Sequence, residues 1–152
     1  MFKKIASFFN NLFSSSDTNS VNFPFKKEES KLFGSIYTPI IKVKLWSDLS
    51  NSWLEVEMVI DTGADYTILP GFIAYELGID MFKDCRILKM QGVGGVEKVY
   101  FHDNVKVMVG PHERNIPVGF MDTDTIPPLM GRHQFIETFQ TEFVKNKEIV
   151  FK

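Results

Sequence analysis

Met58-Val59-Ile60-Asp61-Thr62-Gly63-Ala64-Asp65 is the stretch on which the reading of this chain turns. An apolar run leads straight into the carboxylate of Asp61, which places an acid at the inner end of a strand where the chain must turn. Gly63 lets the backbone turn tightly and come close to a substrate or a partner. Thr62 offers a hydroxyl that can hydrogen-bond backbone across an interface. A strand followed by Asp-x-Gly is also a common turn, so the motif takes its meaning from its surroundings.

Those surroundings read as β. Ile40-Ile41-Lys42-Val43-Lys44-Leu45-Trp46 alternates apolar and charged residues, as a half-buried strand does, and Trp53 to Ile60 begins the same way before turning apolar. With turn residues from Asp48 to Ser52 between them, the two predict a hairpin. Thr67 to Pro70 is short and β-like, and Phe72 to Leu77 predicts a brief helix stopped by Gly78. Further strands are expected at Arg86–Met90, Val96–Phe101, Val105–Val109 and Ile116–Phe120. Gly131 to Glu137 predicts a short C-terminal helix. Phe139–Val144 and Ile149–Phe151 predict a closing hairpin around Lys145-Asn146-Lys147. Many short strands with frequent turns predict a mostly β, small, closed barrel-like fold.

Two more local signals stand out. Gly92-Val93-Gly94-Gly95 lies between β-like runs, at the expected tip of a hairpin. Such a tip can move and close over a ligand with its backbone amides. A phosphate cradle does not fit, because no Lys-Ser/Thr follows and no helix opens there. Leu129-Met130-Gly131-Arg132 ends a strand and turns the chain. Arg132 calls for a carboxylate, and Asp65 is its natural partner in a buried pair.

The chain has 152 residues, 44% of them hydrophobic, and a formal charge of -2. That is enough for one domain with a sizeable core, and there is no basic excess to bind nucleic acid. Cys85 is the single cysteine; it rules out an internal disulfide, suits a reducing, cytoplasmic compartment, and reads as a small buried hydrophobe. His102, His112 and His133 lack metal-ligand spacing, so no metal or other cofactor is expected. No apolar run reaches the ~20 residues of a spanning helix. Residues 1–33 form a separate N-terminal segment and linker, and residues 34–152 the folded domain. Within the segment, Phe2, Ile5, Phe9, Leu12 and Phe13 recur near helical spacing, and a polar stretch from Ser14 to Ser20 follows. A secretory signal peptide fits poorly. A disordered tail with a nascent helix is the first expectation for residues 1–13, because two lysines attract a bilayer weakly; weak contact with a membrane surface, or docking on a partner, is the functional alternative.

An apolar strand into Asp-Thr-Gly-Ala-Asp, then a glycine-tipped hairpin, then apolar-apolar-Gly-Arg resembles the retropepsin family of aspartic proteases, from about Pro39 to Glu137. Lys89-Met90-Gln91-Gly92-Val93-Gly94-Gly95 looks much like the flap of retroviral members. The resemblance implies that Asp61, with Thr62 and Gly63, carries catalysis. It implies substrate contacts from Ala64 and Asp65, from Gly92, Val93 and Gly94 at the flap, and from Ile68, Ile126, Pro127 and Leu129 around the pockets. It also implies an Asp65–Arg132 ion pair. From Phe139 onward the chain departs from the viral pattern and is more similar to cellular and bacterial members.

Only one Asp-Thr-Gly occurs in the 152 residues. Chemistry of this class uses two carboxylates that share one proton around a water. The expectation is therefore an obligate homodimer, each copy donating Asp61, that hydrolyses extended peptide or protein substrates. The rival expectation is a catalytically silent module of the same fold that binds peptides or dimerises. Self-cleavage between Phe8 and Phe33 is a further expectation, from Phe-rich stretches beside a flexible linker.

Overall fold

Alternation of apolar and charged residues sets the architecture, because successive side chains of a strand point to opposite faces. The computed structural model describes residues 19–92, 94–145 and 147–152. The amphipathic stretch expected at residues 1–13, its membrane contact, and Val93 of the hairpin tip lie outside the described residues.

Among the described residues twelve strands run in the order β1 (Val21–Pro24), β2 (Lys26–Ser30), β3 (Gly34–Thr38), β4 (Ile40–Ser47), β5 (Ser52–Ile60), β6 (Thr67–Pro70), β7 (Arg86–Gly92), β8 (Gly95–Val109), β9 (His112–Met121), β10 (Leu129–Met130), β11 (Thr141–Val144) and β12 (Glu148–Phe151). Among the described residues one α-helix is formed, α1 (Gly71–Leu77), which follows β6. The fold is mostly β, as expected. The large sheet has the order β4-β5-β10-β6-β9-β8-β7, and β4 also pairs with β8, so the strands return on themselves.

In β4, Ile41, Val43 and Leu45 are buried while Lys42 and Lys44 face water. Burying each such aliphatic side chain stabilises the fold by roughly 1.5–3 kcal/mol. These residues meet Met58 and Ile60 of β5, Leu69 of β6, Ile73, Ala74 and Leu77 of α1, and Phe120 of β9 in one core. Helix α1 stops at Gly78, whose φ of 82° suits glycine, and the Ile79 amide donates to the Ala74 carbonyl at 2.9 Å.

Two strands were expected over residues 96–109; a single bent one is found. The pairing of β8 with β9 shifts between His102 and Val105. Tyr100 and Val105 would face opposite ways in an uninterrupted strand, yet both lie in the core. The bulge turns the second half of β8 over and makes this possible.

Strand structure begins before the β texture that the sequence shows from Ile36. β1 pairs with β12, which also pairs with β11, to form a second sheet. β2 and β3 form a two-stranded sheet of their own. The C-terminal helix expected over Gly131 to Glu137 is not formed. That stretch is a series of turns ending in a single 3-10 turn, Ile136–Thr138. Gln134 has a φ of 56°, which no right-handed helix accommodates. The amides of Arg132 and His133 are instead drawn onto the Ala64 and Asp65 carbonyls.

Candidate active site

Asp61 is the first residue beyond β5, whose last residues are sandwiched by backbone hydrogen bonds. The Val59 amide donates to the Pro128 carbonyl at 2.9 Å, Ile60 to Pro39 at 2.9 Å, and Asp61 to Met130 at 3.0 Å. The carboxylate therefore leaves a strand that is held on both sides. Within the loop, Asp61 Oδ1 accepts from the Gly63 amide at 2.9 Å, and the Ala64 amide donates to the Asp61 carbonyl at 3.3 Å. This Asx-type turn is why a short polar loop rather than a continued strand follows Ile60. Asp61 is half-buried, and Thr62 and Gly63 are exposed beside it. Among the described residues Asp61 makes no ion pair.

The loop is clamped to the segment after β10. The Arg132 amide donates to the Ala64 carbonyl at 3.0 Å, and the His133 amide to Asp65 at 2.7 Å. Deeper in, the Gly131 amide donates to the hydroxyl of fully buried Thr67 at 3.2 Å. Two of the signals singled out along the sequence thus come together as one unit. Thr67 was missed in the sequence. The one available cue was a hydroxyl at the head of an otherwise apolar strand, where burial demands a partner.

Arg132 does pair with Asp65 through one guanidinium nitrogen. The pair was expected to be buried and is not: the Asp65 side chain is 82% exposed and that of Arg132 51%. Both side chains are therefore largely open to solvent, as is Thr62 three residues before Asp65. Next to them His133 Nδ1 lies 3.3 Å from Glu137, a contact that is ionic only when the imidazole is protonated.

The glycine-tipped hairpin expected from the sequence is formed by β7 and β8, with Gly92 opposite Gly95. Open space surrounds Gly94 at its tip. The hairpin meets the clamp lower down, where the Tyr66 hydroxyl reaches the Met90 sulfur. The Tyr66 ring stands edge-on to Phe101 at 5.1 Å. Burial, and then the neighbouring Asp65 carboxylate, push the Tyr66 phenol up from its ordinary value. Tyr66 also escaped the sequence reading, because an isolated tyrosine after a loop carries no periodic signal.

The expected pocket residues are distributed unevenly. Ile68 is 5% exposed and lies opposite Leu129, which is half-buried. Ile126 is half-buried and Pro127 exposed. Two hollows among the described residues are lined by other side chains: one of about 380 Å³ by Leu49, Tyr75, Met81 and Phe82, another of about 410 Å³ by Leu54, Phe72 and Pro128, which stands between Pro127 and Leu129. Cys85 is half-buried, and burial followed by nearby Asp84, Asp80 and Asp103 pushes its thiol up to about 11. That environment suits a packed thiol and not a nucleophile. The three histidines sit on separate elements, His102 on β8, His112 at the start of β9 and His133 after β10.

A family model described as aspartyl protease matches residues 49–133, a span that holds the Asp61 loop, the β7–β8 hairpin and the Arg132 clamp. No curated protein matches the chain.

Proposed function

The chain belongs to the retropepsin-like aspartyl protease family, and from that premise we propose that it is an aspartic endopeptidase whose active centre is completed by a second copy. The carrying observation is the lone Asp61-Thr62-Gly63 on a strand end held by the Asp61–Met130 backbone bond at 3.0 Å. One carboxylate cannot divide the work of base and acid, so two copies supply one Asp61 each across a two-fold axis. Like charges a few ångströms apart do not both ionise, and the pair holds one proton between them. The ionised member takes a proton from a water, and the water oxygen attacks the scissile carbonyl carbon. The protonated member donates a hydrogen bond to the carbonyl oxygen as charge develops on it. The nitrogen of the broken bond leaves with a proton from the pair.

Thr62, beside Asp61 and exposed, is suited to bond backbone of the other copy. Ala64 and Asp65 form the floor along which an extended peptide lies, and Gly92, Val93 and Gly94 close over it. Ile68, Ile126, Pro127 and Leu129 favour apolar side chains beside the cut. A module that only binds peptides has no need of a paired acid, which is why the hydrolytic reading is preferred.

The test is turnover of a peptide library by the wild type and by Asp61→Asn, with solution mass measured on the same samples. Activity should vanish in the variant while the fold persists, and wild-type specific activity should fall on dilution as dimer is lost. Turnover by Asp61→Asn, or full specific activity from a demonstrated monomer, would refute the shared centre.

A further inference from the structure

The β2–β3 hairpin stands apart from the rest of the molecule. Among the described residues its strands pair only with each other. At its base, the Phe25 amide donates to the Lys147 carbonyl at 2.8 Å and Lys26 meets Glu57 at 2.5 Å. At its tip, Leu32 and Phe33 are adjacent in the turn and are 80% and 75% exposed. Folding normally hides such side chains, and here two neighbours are displayed together on the end of an arm. The turn is held by the Ser30 hydroxyl, which accepts from the amides of Leu32 at 3.3 Å and Phe33 at 3.2 Å. Gly34 follows with nothing within 4 Å of where a Cβ would be. A two-stranded hairpin without a packed face is marginally stable, so the arm can open into the extended form that a peptidase cleft accepts.

We propose that the Leu32–Phe33 peptide bond is a processing site, cut by other molecules of this same protein. The inference rests on the peptidase reading above and names a substrate for that same centre. An apolar residue stands on each side of the bond, which is what the apolar pocket residues favour. Water adds to the Leu32 carbonyl carbon and the bond to the Phe33 nitrogen breaks. The oxygen of the water stays in the new Leu32 carboxylate, and a proton goes to the new Phe33 amine. The cut severs β2 from β3 and parts residues 1–32 covalently from residues 33–152. β1 keeps its non-covalent pairing with β12, from Val21 opposite Phe151 to Pro24 opposite Glu148. The product is thus a nicked molecule whose N-terminal piece is held non-covalently, by β1 on β12, by β2 on β3 and by the Phe25 and Lys26 contacts at the base of the arm.

The experiment follows intact mass of the full chain during incubation at about pH 5, where acid dyads of this kind work, with library turnover measured on the same sample. Wild type should yield the masses of residues 1–32 and 33–152. Asp61→Asn alone should stay whole, and should be cut at the same bond when mixed with wild type. Leu32→Asp places a charge beside the bond and should slow the cut about tenfold or more, with library turnover unchanged. A library that is cut while the chain stays whole, or is cut at other bonds, overturns the processing site and leaves the peptidase reading standing. Equal cutting of Leu32→Asp overturns it too. If neither library nor chain is cut, both readings fall.

Discussion

Gly131 lies so close to Tyr66 that a Cβ at position 131 would sit 2.2 Å from the Tyr66 carbonyl carbon. Backbone there meets backbone, and no side chain can swing aside. The contact lets the Gly131 amide reach Thr67 and so carries the clamp behind Asp61. Gly131→Ala is expected to destabilise the fold by roughly 3 kcal/mol. Urea unfolding measures this, and a loss within about 0.5 kcal/mol would mean that the two segments do not touch.

The exposed Asp65–Arg132 pair leads to a split outcome. In the isolated chain, Arg132→Ala should cost no more than other exposed pairs, about 1 kcal/mol or less. If the surface with Thr62 faces a second copy, the same change should weaken dimerisation and peptide turnover much more. Thermal unfolding at low concentration against sedimentation at high concentration separates the two effects. Equal loss in both would contradict an interfacial role.

Tyr66 links the loop of Asp61 to the hairpin through Met90. Removing only the hydroxyl, in Tyr66→Phe, keeps the ring against Phe101 and should change stability by about 1 kcal/mol or less. Backbone amides of residues 86–92 should exchange faster with solvent, because β7 is an outer strand of the large sheet. Unchanged exchange across β7 would show that the hydroxyl restrains nothing.

Cys85 makes stability depend on alkaline pH. Its thiol keeps its proton to about 11 in the folded chain, against an ordinary value of 9.0. Between those values the unfolded chain gives up the proton and the folded chain does not. The contribution is therefore complete below the lower value and is lost as pH rises through the upper one. Cys85→Ser should flatten that part of a stability profile. Thiol alkylation at pH 8 should be slow in the folded protein and fast in urea.

Local chemistry was legible early. The period-two alternation of β4 and β5, the apolar approach to Asp61 and the glycine-tipped β7–β8 hairpin are short-range patterns, and each was found where the residues indicate. Helix α1 ends at Gly78 for the same reason. The expected helix after Gly131 failed because Gln134 takes a φ of 56°, outside the right-handed helical region, while the segment is docked on the Ala64 and Asp65 carbonyls, which are remote in sequence. Strand β1 went unread because Val21 to Pro24 carries too few residues to show a period, and its partner β12 lies at the other end of the chain.

The amino-acid order by itself determined that an apolar strand runs into Asp61-Thr62-Gly63 and that this motif occurs once in the 152 residues, since both are matters of composition and nearest neighbours. Tertiary structure alone decided that residues 61–67 and 128–133 brace each other, that Tyr100 and Val105 share a core, and that Asp65, Arg132, Leu32 and Phe33 face outward. Burial and backbone contact between distant segments depend on how the whole chain packs, and no local pattern encodes them.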